Sequence, residues 1–590
     1  MIDRARPFVL IDDARPGGGG RLYVDPVEVV RADDPGDVPG LLASLSGRHG
    51  AGFLAYEAGH ALEPRLAHLG GGKAPLGWFG LFAGYRALGQ GEVADLLPDP
   101  AGAWVGTPEP LIPEAGHAEA VERVLGWIAA GDIYQANLTL AARVPFAGDP
   151  LALYAAVRGR AGAAHGAVVW TEAEWLLSFS PELFFSIEDG TITARPMKGT
   201  ARRREDAAED AEVARALAAD EKQRAENLMI VDLMRNDLAR IAEPGSVTVE
   251  RLFAVETFPS IHQMTSGVQA RLVPGIGPAE ALAALFPCGS VTGAPKIRAM
   301  ELIGQVEPAP RGAYTGAIGW CDPAGNASFN VAIRTLTIDA GMEEARLGLG
   351  SGIVADSRAA AELDECQAKG AFLTLGQRGV DLIETMAFDP EEGLRLLERH
   401  LARLKASATR FGIPFDRHDA RNELQAATFR LREPRRVRLL LGASGAVAIE
   451  IAPPPPPSPG AVEVAVVPLP VDPADFRLRH KTGDRRFYDA ARTGFEVVFE
   501  RPDGLLTEGS FTNLFVRRGG LLLTPPLARG LLPGVLREEL LATGQAVERD
   551  LTRGDLAGGF LVGNALRGLL PAVLAQNVAR NVADANTARL

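Results

Sequence analysis

Apolar and polar positions along this chain alternate between two periods, and the switches between them predict its elements. Residues 118–130 carry apolar side chains at helical spacing, and Gly131 closes that run before a strand-like stretch at 133–140. Three apolar runs, 168–170, 176–179 and 183–187, read as successive strands, with Glu188-Asp189-Gly190 as a hairpin turn. Residues 205–241, rich in Ala, Glu and Arg, predict the longest helix, stopped by Pro244-Gly245. Short strands then alternate with helices as far as Leu375, and a new strand-then-helix pattern starts at Leu382. Its helix, predicted over 394–411, places leucines at 394, 397, 401 and 404 along one face. Residues 453–457 are five prolines, stiff and extended, between two strand-rich stretches, which suits a connector between subdomains. The pattern predicts two unequal units that mix α and β: residues 1–375 and 382–590, joined by a linker at 376–381.

Composition narrows the field. A chain of 590 residues has the length of about four domains, or fewer large ones. Its 61 Lys+Arg against 74 Asp+Glu give a net charge of −13, which argues against nucleic acid or an anionic membrane as a partner. No stretch approaches the ~18 consecutive apolar residues of a membrane span. The opening MIDRARPFVLIDDARP mixes both charges and does not read as a secretory leader. Cys288, Cys321 and Cys366 lie far apart, outside any CxxC or Cys/His cluster, so neither a disulfide framework nor a zinc site is expected. The expectation is a soluble, cytoplasmic protein.

Four segments of the first unit concentrate reactive side chains. Lys198, in Arg195-Pro196-Met197-Lys198-Gly199-Thr200, sits between a strand and a glycine. A lysine nucleophile must be deprotonated, which burial or a nearby cation achieves, although the arginines at 202–204 also fit a solvated basic loop. Glu226, Asp232, Arg235 and Asp237 punctuate an apolar helix, where an ion-pair ladder is the plainer reading. Residues 287–296 run through small side chains to a proline suited to a first helical turn, whose N–H groups can hold a carboxylate or phosphate. Glu362, Glu365 and Lys369 share a helix face; two carboxylates so placed suit Mg²⁺, and Glu365 with Lys369 equally suits an i,i+4 pair.

Together with 131–139 (Gly-Asp-Ile-Tyr-Gln-Ala-Asn-Leu-Thr) and 311–319 (Arg-Gly-Ala-Tyr-Thr-Gly-Ala-Ile-Gly), these segments resemble the chorismate-utilising enzymes over about residues 1–375. The resemblance implies a large β-sandwich with surrounding helices and an active site between its sheets. It implies Glu182, in Ser180-Pro-Glu-Leu, as general acid/base, and Glu226, Glu362 and Glu365 as Mg²⁺ ligands. Tyr314, Arg334 and the backbone of Gly350 and Gly352 become the pocket for the enolpyruvyl carboxylate of chorismate, with Ser290, Thr292 and Lys296 as further substrate contacts. Position 198 discriminates within the family. Anthranilate-forming members carry alanine there, whereas lysine is the pattern of the aminodeoxychorismate-forming members. An enzyme amine that adds at C2 lets ammonia enter at C4; without it, ammonia attacks C2 directly and leads towards anthranilate. Gln223 stands where many relatives have an acid, and Gln263 where anthranilate-forming members have a histidine; neighbouring His262 is assigned no role. No cysteine lies in a Gly-x-Cys-x-Gly turn, so ammonia is expected from solution or a separate glutamine amidotransferase subunit.

In the second unit, Lys481 follows an apolar segment, Glu508 lies in a Gly/Ser turn, and 531–537 and 563–568 are glycine-containing turns near apolar runs. Such a set can hold pyridoxal phosphate, although Lys481 alone would pass for a surface lysine. The set and its order resemble the fold-type IV pyridoxal-phosphate enzymes across 382–590, which implies a two-subdomain α/β fold. The resemblance makes Lys481 the Schiff-base lysine, Glu508 the partner of the pyridine nitrogen and Arg403 a phosphate ligand. The backbone at Val535, Leu536 and Asn564 completes the phosphate site, and Tyr488 faces the cofactor's phenolic oxygen. Side by side, the two resemblances imply amination of chorismate at C4 followed by loss of pyruvate, giving 4-aminobenzoate. A homodimer through the second unit is expected. The rival readings are an amino acid aminotransferase in the second unit, an anthranilate synthase in the first, and a non-catalytic chorismate-binding regulator.

Overall fold

The computed structural model describes residues 2–72, 75–257 and 261–575; the predicted end of the second unit, 576–590, lies outside the described residues. The chain divides at Gly376–Gln377, and the second unit also takes in Ala101–Trp104 and Ala147–Asp149.

In the first unit, alternation along the strands gives each of two sheets one apolar face. Phe8–Asp12, Gly20–Val24, His165–Trp170 and Glu174–Ser180 run antiparallel in one sheet. His49–Leu54, Gly77–Phe82, Ala317–Cys321 and Ala327–Val331 do so in the other. Val9, Tyr23, Val169 and Leu176 of the first meet Phe53, Trp78, Ile318 and Trp320 of the second in one core, so the sheets form a sandwich. The outer face of the second sheet is covered by helices: Ile230, Met234 and Leu238 of Glu221–Ala239 and Leu282 and Leu285 of Pro278–Leu285 pack with Phe185, Ile187 and Phe329.

The chain crosses between the sheets at two places that matter for the site. Glu174–Ser180 leads through Pro181-Glu182 to Leu183–Glu188, and Ala327–Val331 leads through 332–334 to Thr335–Asp339. Pro181 has no N–H for a ladder, so the strand stops there. The crossings are tied together: the Phe179 N–H donates to Arg334 O at 3.0 Å and the Val331 N–H to Glu182 O at 3.1 Å. Glu182 and Arg334 are therefore neighbours by construction.

Several boundaries differ from expectation. The helix predicted over 205–241 is two helices, Ala207–Ala219 and Glu221–Ala239. Asp220 is extended between them, and its carboxylate accepts the Gln223 N–H at 2.9 Å, because a short acidic side chain caps a new helix better than it continues an old one. The helix predicted over 394–411 is Leu397–Arg410. Leu394 lies instead in the short strand Gly393–Leu394, and Leu396 at φ 55° turns the chain between them. Elsewhere Gly131, in the left-handed conformation, closes Glu114–Ala130, and Asp189 (φ 48°) with Gly190 (φ 73°) makes the expected hairpin turn.

The second unit has a four-stranded antiparallel sheet built around Leu382–Asp389 and Arg435–Leu441, backed by Leu397–Arg410. Its eight-stranded sheet pairs Val462–Pro468 in parallel with Glu496–Glu500. The prolines lie between Val447–Ala452 of one sheet and Val462–Pro468 of the other, as a connector would. Among the described residues, no helix is long and apolar enough to cross a membrane.

Candidate active sites

Lys198 lies in the edge strand Met197–Arg202, whose pairing with Ile261–Arg271 slips by one residue between Met197 and Thr200. The slip turns the lysine inward. Its Nζ stands 3.6 Å from Glu226 Oε2, with the two side chains 27% and 18% exposed, so the amine does not project into bulk solvent. Gly352, on a strand of the opposite sheet, is the near wall: a Cβ there would lie 2.8 Å from Nζ.

Glu182 closes the same space. Its Oε1 accepts a hydrogen bond from Ser290 Oγ at 2.7 Å, and Cys288 Sγ lies 3.2 Å from that hydroxyl. Burial pushes the Glu182 carboxyl up to about 7, against the Ser290 hydroxyl and the Lys198 and Lys369 charges, which pull it down. It can thus hold a proton near neutrality. Arg334 is held at φ 51° in its crossing, and its guanidinium makes no hydrogen bond or ion pair among the described residues, resting only near the Phe372 ring at 5.8 Å. Burial disfavours its charge, and an unpaired buried guanidinium is a natural partner for a carboxylate ligand. Tyr314 lies flat on Gly348, where a Cβ would come within 2.0 Å of the ring, and its hydroxyl reaches the position of a Cβ on Gly350.

Three residues expected to contact substrate have partners within the protein. Lys296 is a structural cation: its ammonium donates to Asp237 Oδ2 at 2.7 Å, Leu285 O at 2.9 Å and Pro287 O at 3.3 Å, which engages all its N–H groups. Thr292 is fully buried, with its hydroxyl facing the carbonyls of Cys288 and Gly289. Ser290 acts on Glu182, as described. The three carboxylates expected to hold Mg²⁺ are not brought together either. Glu226 faces Lys198, Glu365 pairs with Lys369 at 2.7 Å, and among the described residues no three acidic, His or Cys side chains are placed to hold a metal. As placed, these residues do not fit the ion, because ammonium groups already neutralise two of the carboxylates.

In the second unit Lys481 is half-buried, and its amine makes no hydrogen bond or ion pair among the described residues. Burial, then the Arg403 charge, pushes it down to about 7, which makes it a free nucleophile near neutrality. Its backbone is pinned where Ile383 N–H donates to Lys481 O at 2.9 Å. Glu508 is buried and raised to about 7 by that burial. Its Oε1 accepts the Tyr488 hydroxyl at 2.6 Å, so Tyr488 supports Glu508 directly. Arg403 donates through Nε and Nη2 to Glu384 at 2.8 and 2.6 Å and through Nη1 to Pro533 O at 2.9 Å. That leaves two of its five N–H groups for an anion. Asn564 is also engaged: Nδ2 donates to Phe511 O, and Oδ1 accepts the N–H groups of Leu566 and Arg567. Its turn therefore offers fewer donors than expected. Val535 and Leu536 open the helix Val535–Ala542, whose first-turn N–H groups have no intrahelical partner. Gly534 before it is obligatory, since a Cβ would fall 1.7 Å from Asn513 Oδ1. An amine without a partner among the described residues, a buried carboxyl and a helix start fit pyridoxal phosphate.

Sequence reasoning missed the partners that hold these groups. Glu384, Asn227 and Gln263 have no supporting role legible in the sequence; that role appears only because the fold sets them against Arg403, Lys198 and Gly199.

Both units match known protein families. Residues 27–375 match the chorismate binding enzyme family and residues 381–574 the class IV amino-transferase family. The chain is 43% identical over 249 residues to aminodeoxychorismate synthase component 1 of Klebsiella aerogenes, covering 42% of this chain and 55% of that protein. It is 42% identical over 267 residues to anthranilate synthase component 1 of Streptomyces coelicolor, covering 45% of this chain and 52% of that protein. This chain spans about half the length of these curated relatives. The crystal structure of anthranilate synthase component I from Streptococcus pneumoniae superposes with a TM-score of 0.52 at 25% identity, over 63% of this chain and 93% of that one. The chain belongs to the chorismate binding enzyme family and carries a class IV amino-transferase domain behind that domain.

Proposed function

We propose that the chain makes 4-aminobenzoate from chorismate in two steps, one in each unit. The observation that carries the reading is the placement of the Lys198 amine at Gly352, in a space shared with Glu182 and Glu226.

In the first step Lys198 Nζ bonds to C2 of chorismate, the ring double bonds shift, and the C4 hydroxyl leaves as water with a proton from Glu182. Ammonia then bonds to C4, the double bonds shift back, and Lys198 departs with its electron pair restored. The sum is chorismate plus ammonia giving 4-amino-4-deoxychorismate plus water. The amine must shed its proton before it bonds, and Glu226, 3.6 Å from Nζ, orients it in the site. Arg334 and the Gly350 backbone receive the enolpyruvyl carboxylate. No step is assigned to Mg²⁺.

In the second unit Lys481, Glu508, Arg403 and the start of Val535–Ala542 would hold pyridoxal phosphate. When bound, that group supplies an electron sink that acidifies the carbon bearing the substrate's amine. Lys481, half-buried and without a partner among the described residues, removes the C4 proton of aminodeoxychorismate. The enolpyruvyl group leaves C3 as pyruvate, and the ring becomes aromatic. Glu508, held by Tyr488, would partner the pyridine nitrogen of that group. Ammonia comes from a separate glutamine amidotransferase, a reading supported by relatives named component 1. A cytoplasmic homodimer formed through the second unit belongs to the same proposal.

The test is product analysis. The purified chain is incubated with chorismate, ammonium and pyridoxal phosphate, with and without magnesium. Equimolar 4-aminobenzoate and pyruvate support the proposal. Formation of 2-aminobenzoate, or glutamate-dependent transamination without pyruvate release, overturns it.

A further inference from the structure

Lysine has a long flexible stem, so its amine is aimed only if its root is fixed. At Lys198 the root lies in a break of the sheet. Met197 stands opposite Thr265 but Thr200 stands opposite Gln263, one residue too many on the lysine's strand. Gly199 takes φ 97°, a conformation that favours glycine, and a Cβ there would also crowd Gln223 and Met264. A bulge of this kind takes backbone groups out of the ladder, and buried carbonyls left that way are costly unless side chains reach them.

Two amides do so. Gln263 Nε2 donates to Gly199 O at 2.8 Å, while its Oε1 accepts the Thr200 hydroxyl at 2.8 Å. Asn227 Nδ2 donates to Lys198 O at 3.3 Å, and its Oδ1 accepts the Ser266 hydroxyl at 2.6 Å. Ser266 Oγ in turn accepts the Phe253 N–H at 3.1 Å. Gln263 is 8% exposed and Asn227 fully buried. The bulge is thus gripped from the partner strand and from the helix that carries Glu226.

We propose that Gln263, assisted by Asn227, is a positioning residue for the amination: its amide locks the bulge at Lys198-Gly199 and so delivers the lysine amine to the cavity wall at Gly352. The inference rests on the reading of Lys198 as nucleophile. Gln263 hydrogen-bonds Gly199 O and the Thr200 hydroxyl, so it acts through the backbone of its neighbours.

The test uses the full chain and reads Lys198 in two independent ways. First, the amine is labelled with methyl acetimidate in the absence of chorismate, and peptide mass analysis gives the rate at Lys198. Gln263→Ala and Gln263→Glu are both expected to label Lys198 faster than the parent. The glutamate keeps the acceptor for Thr200 but loses the donor to Gly199 O, so it does not rescue. Second, both variants are expected to lose about 10- to 100-fold in kcat for para-amination, with KM for chorismate little changed. In a Lys198→Ala background, adding Gln263→Ala is expected to leave the residual amination rate unchanged. Asn227→Asp, which keeps the Ser266 contact, repeats the labelling comparison should the Gln263 variants fail to fold. An unchanged labelling rate, or equal slowing in the Lys198→Ala background, overturns the inference. Full para-amination by Lys198→Ala overturns instead the nucleophile reading, and the labelling still reports on Gln263.

Discussion

Gly352 and Lys198 face each other so closely that a Cβ on the glycine would stand 2.8 Å from the amine nitrogen. The far end of a flexible lysine can move aside, so Gly352→Ala is expected to fold with its stability changed by no more than about 1 kcal/mol. The amine would be displaced, however, and misplacing a reacting atom by about 1 Å can cost ~100-fold in rate. Thermal unfolding alongside initial rates of chorismate amination separates the two effects.

In the proposed amination, Glu182 sets the pH dependence. Its carboxyl, raised to about 7 by burial, donates a proton only while protonated, so the rate falls as pH rises through that value. The Ser290 hydroxyl stabilises the carboxylate form, and Ser290→Ala removes that support. Its descending limb is expected to move to higher pH. Glu182→Gln is expected to lose on the order of 10²- to 10⁴-fold in rate. Rate profiles of the three proteins across neutral pH check both expectations; an unshifted limb in Ser290→Ala would contradict the assignment.

In the proposed lyase unit, Lys481 sets how pyridoxal phosphate is taken up. With the amine lowered to about 7 by burial and then by Arg403, the reactive neutral form grows as pH rises through neutrality. Loading of cofactor-free protein with pyridoxal phosphate, followed by absorbance, is expected to accelerate accordingly. Lys481→Ala should show no covalent loading while the first unit still aminates chorismate.

How far the sequence reveals this depends on the range of the interaction. Lys198, Glu182, Lys481 and Glu508 are singled out only by several ordered motifs read together as a family resemblance; alone, Lys198 fits a basic loop and Lys481 a surface lysine. Their supports are not legible. Ser290 reaches Glu182 across 108 positions, and Lys296 meets Asp237 across 59, so a lysine that reads as a substrate contact is a buried ion pair. The helix break at Asp220 was equally hidden, since its neighbours are good helix formers and only the cap geometry reveals the stop. Strand positions fared better, because Val168–Trp170 and Leu176–Phe179 show their burial in their own composition.

Glu496 carries the loop of Glu508. Its buried carboxylate accepts Ser510 N–H at 2.8 Å, Ser510 Oγ at 2.6 Å, Phe511 N–H at 3.2 Å and Thr512 Oγ1 at 2.8 Å. Glu496→Ala leaves those donors buried without an acceptor and is expected to destabilise the second unit by about 3 kcal/mol. Denaturant unfolding measures that loss, and weaker retention of pyridoxal phosphate should accompany it.

The central claim is a bond between Lys198 and the chorismate ring. Parent protein is mixed with chorismate in the absence of ammonium, quenched, and mapped by peptide mass. The result expected is an adduct of chorismate less water on Lys198, absent from Gly352→Ala or much reduced there. A peptide that stays unmodified, in a preparation that aminates chorismate at C4 once ammonium is added, would contradict the account.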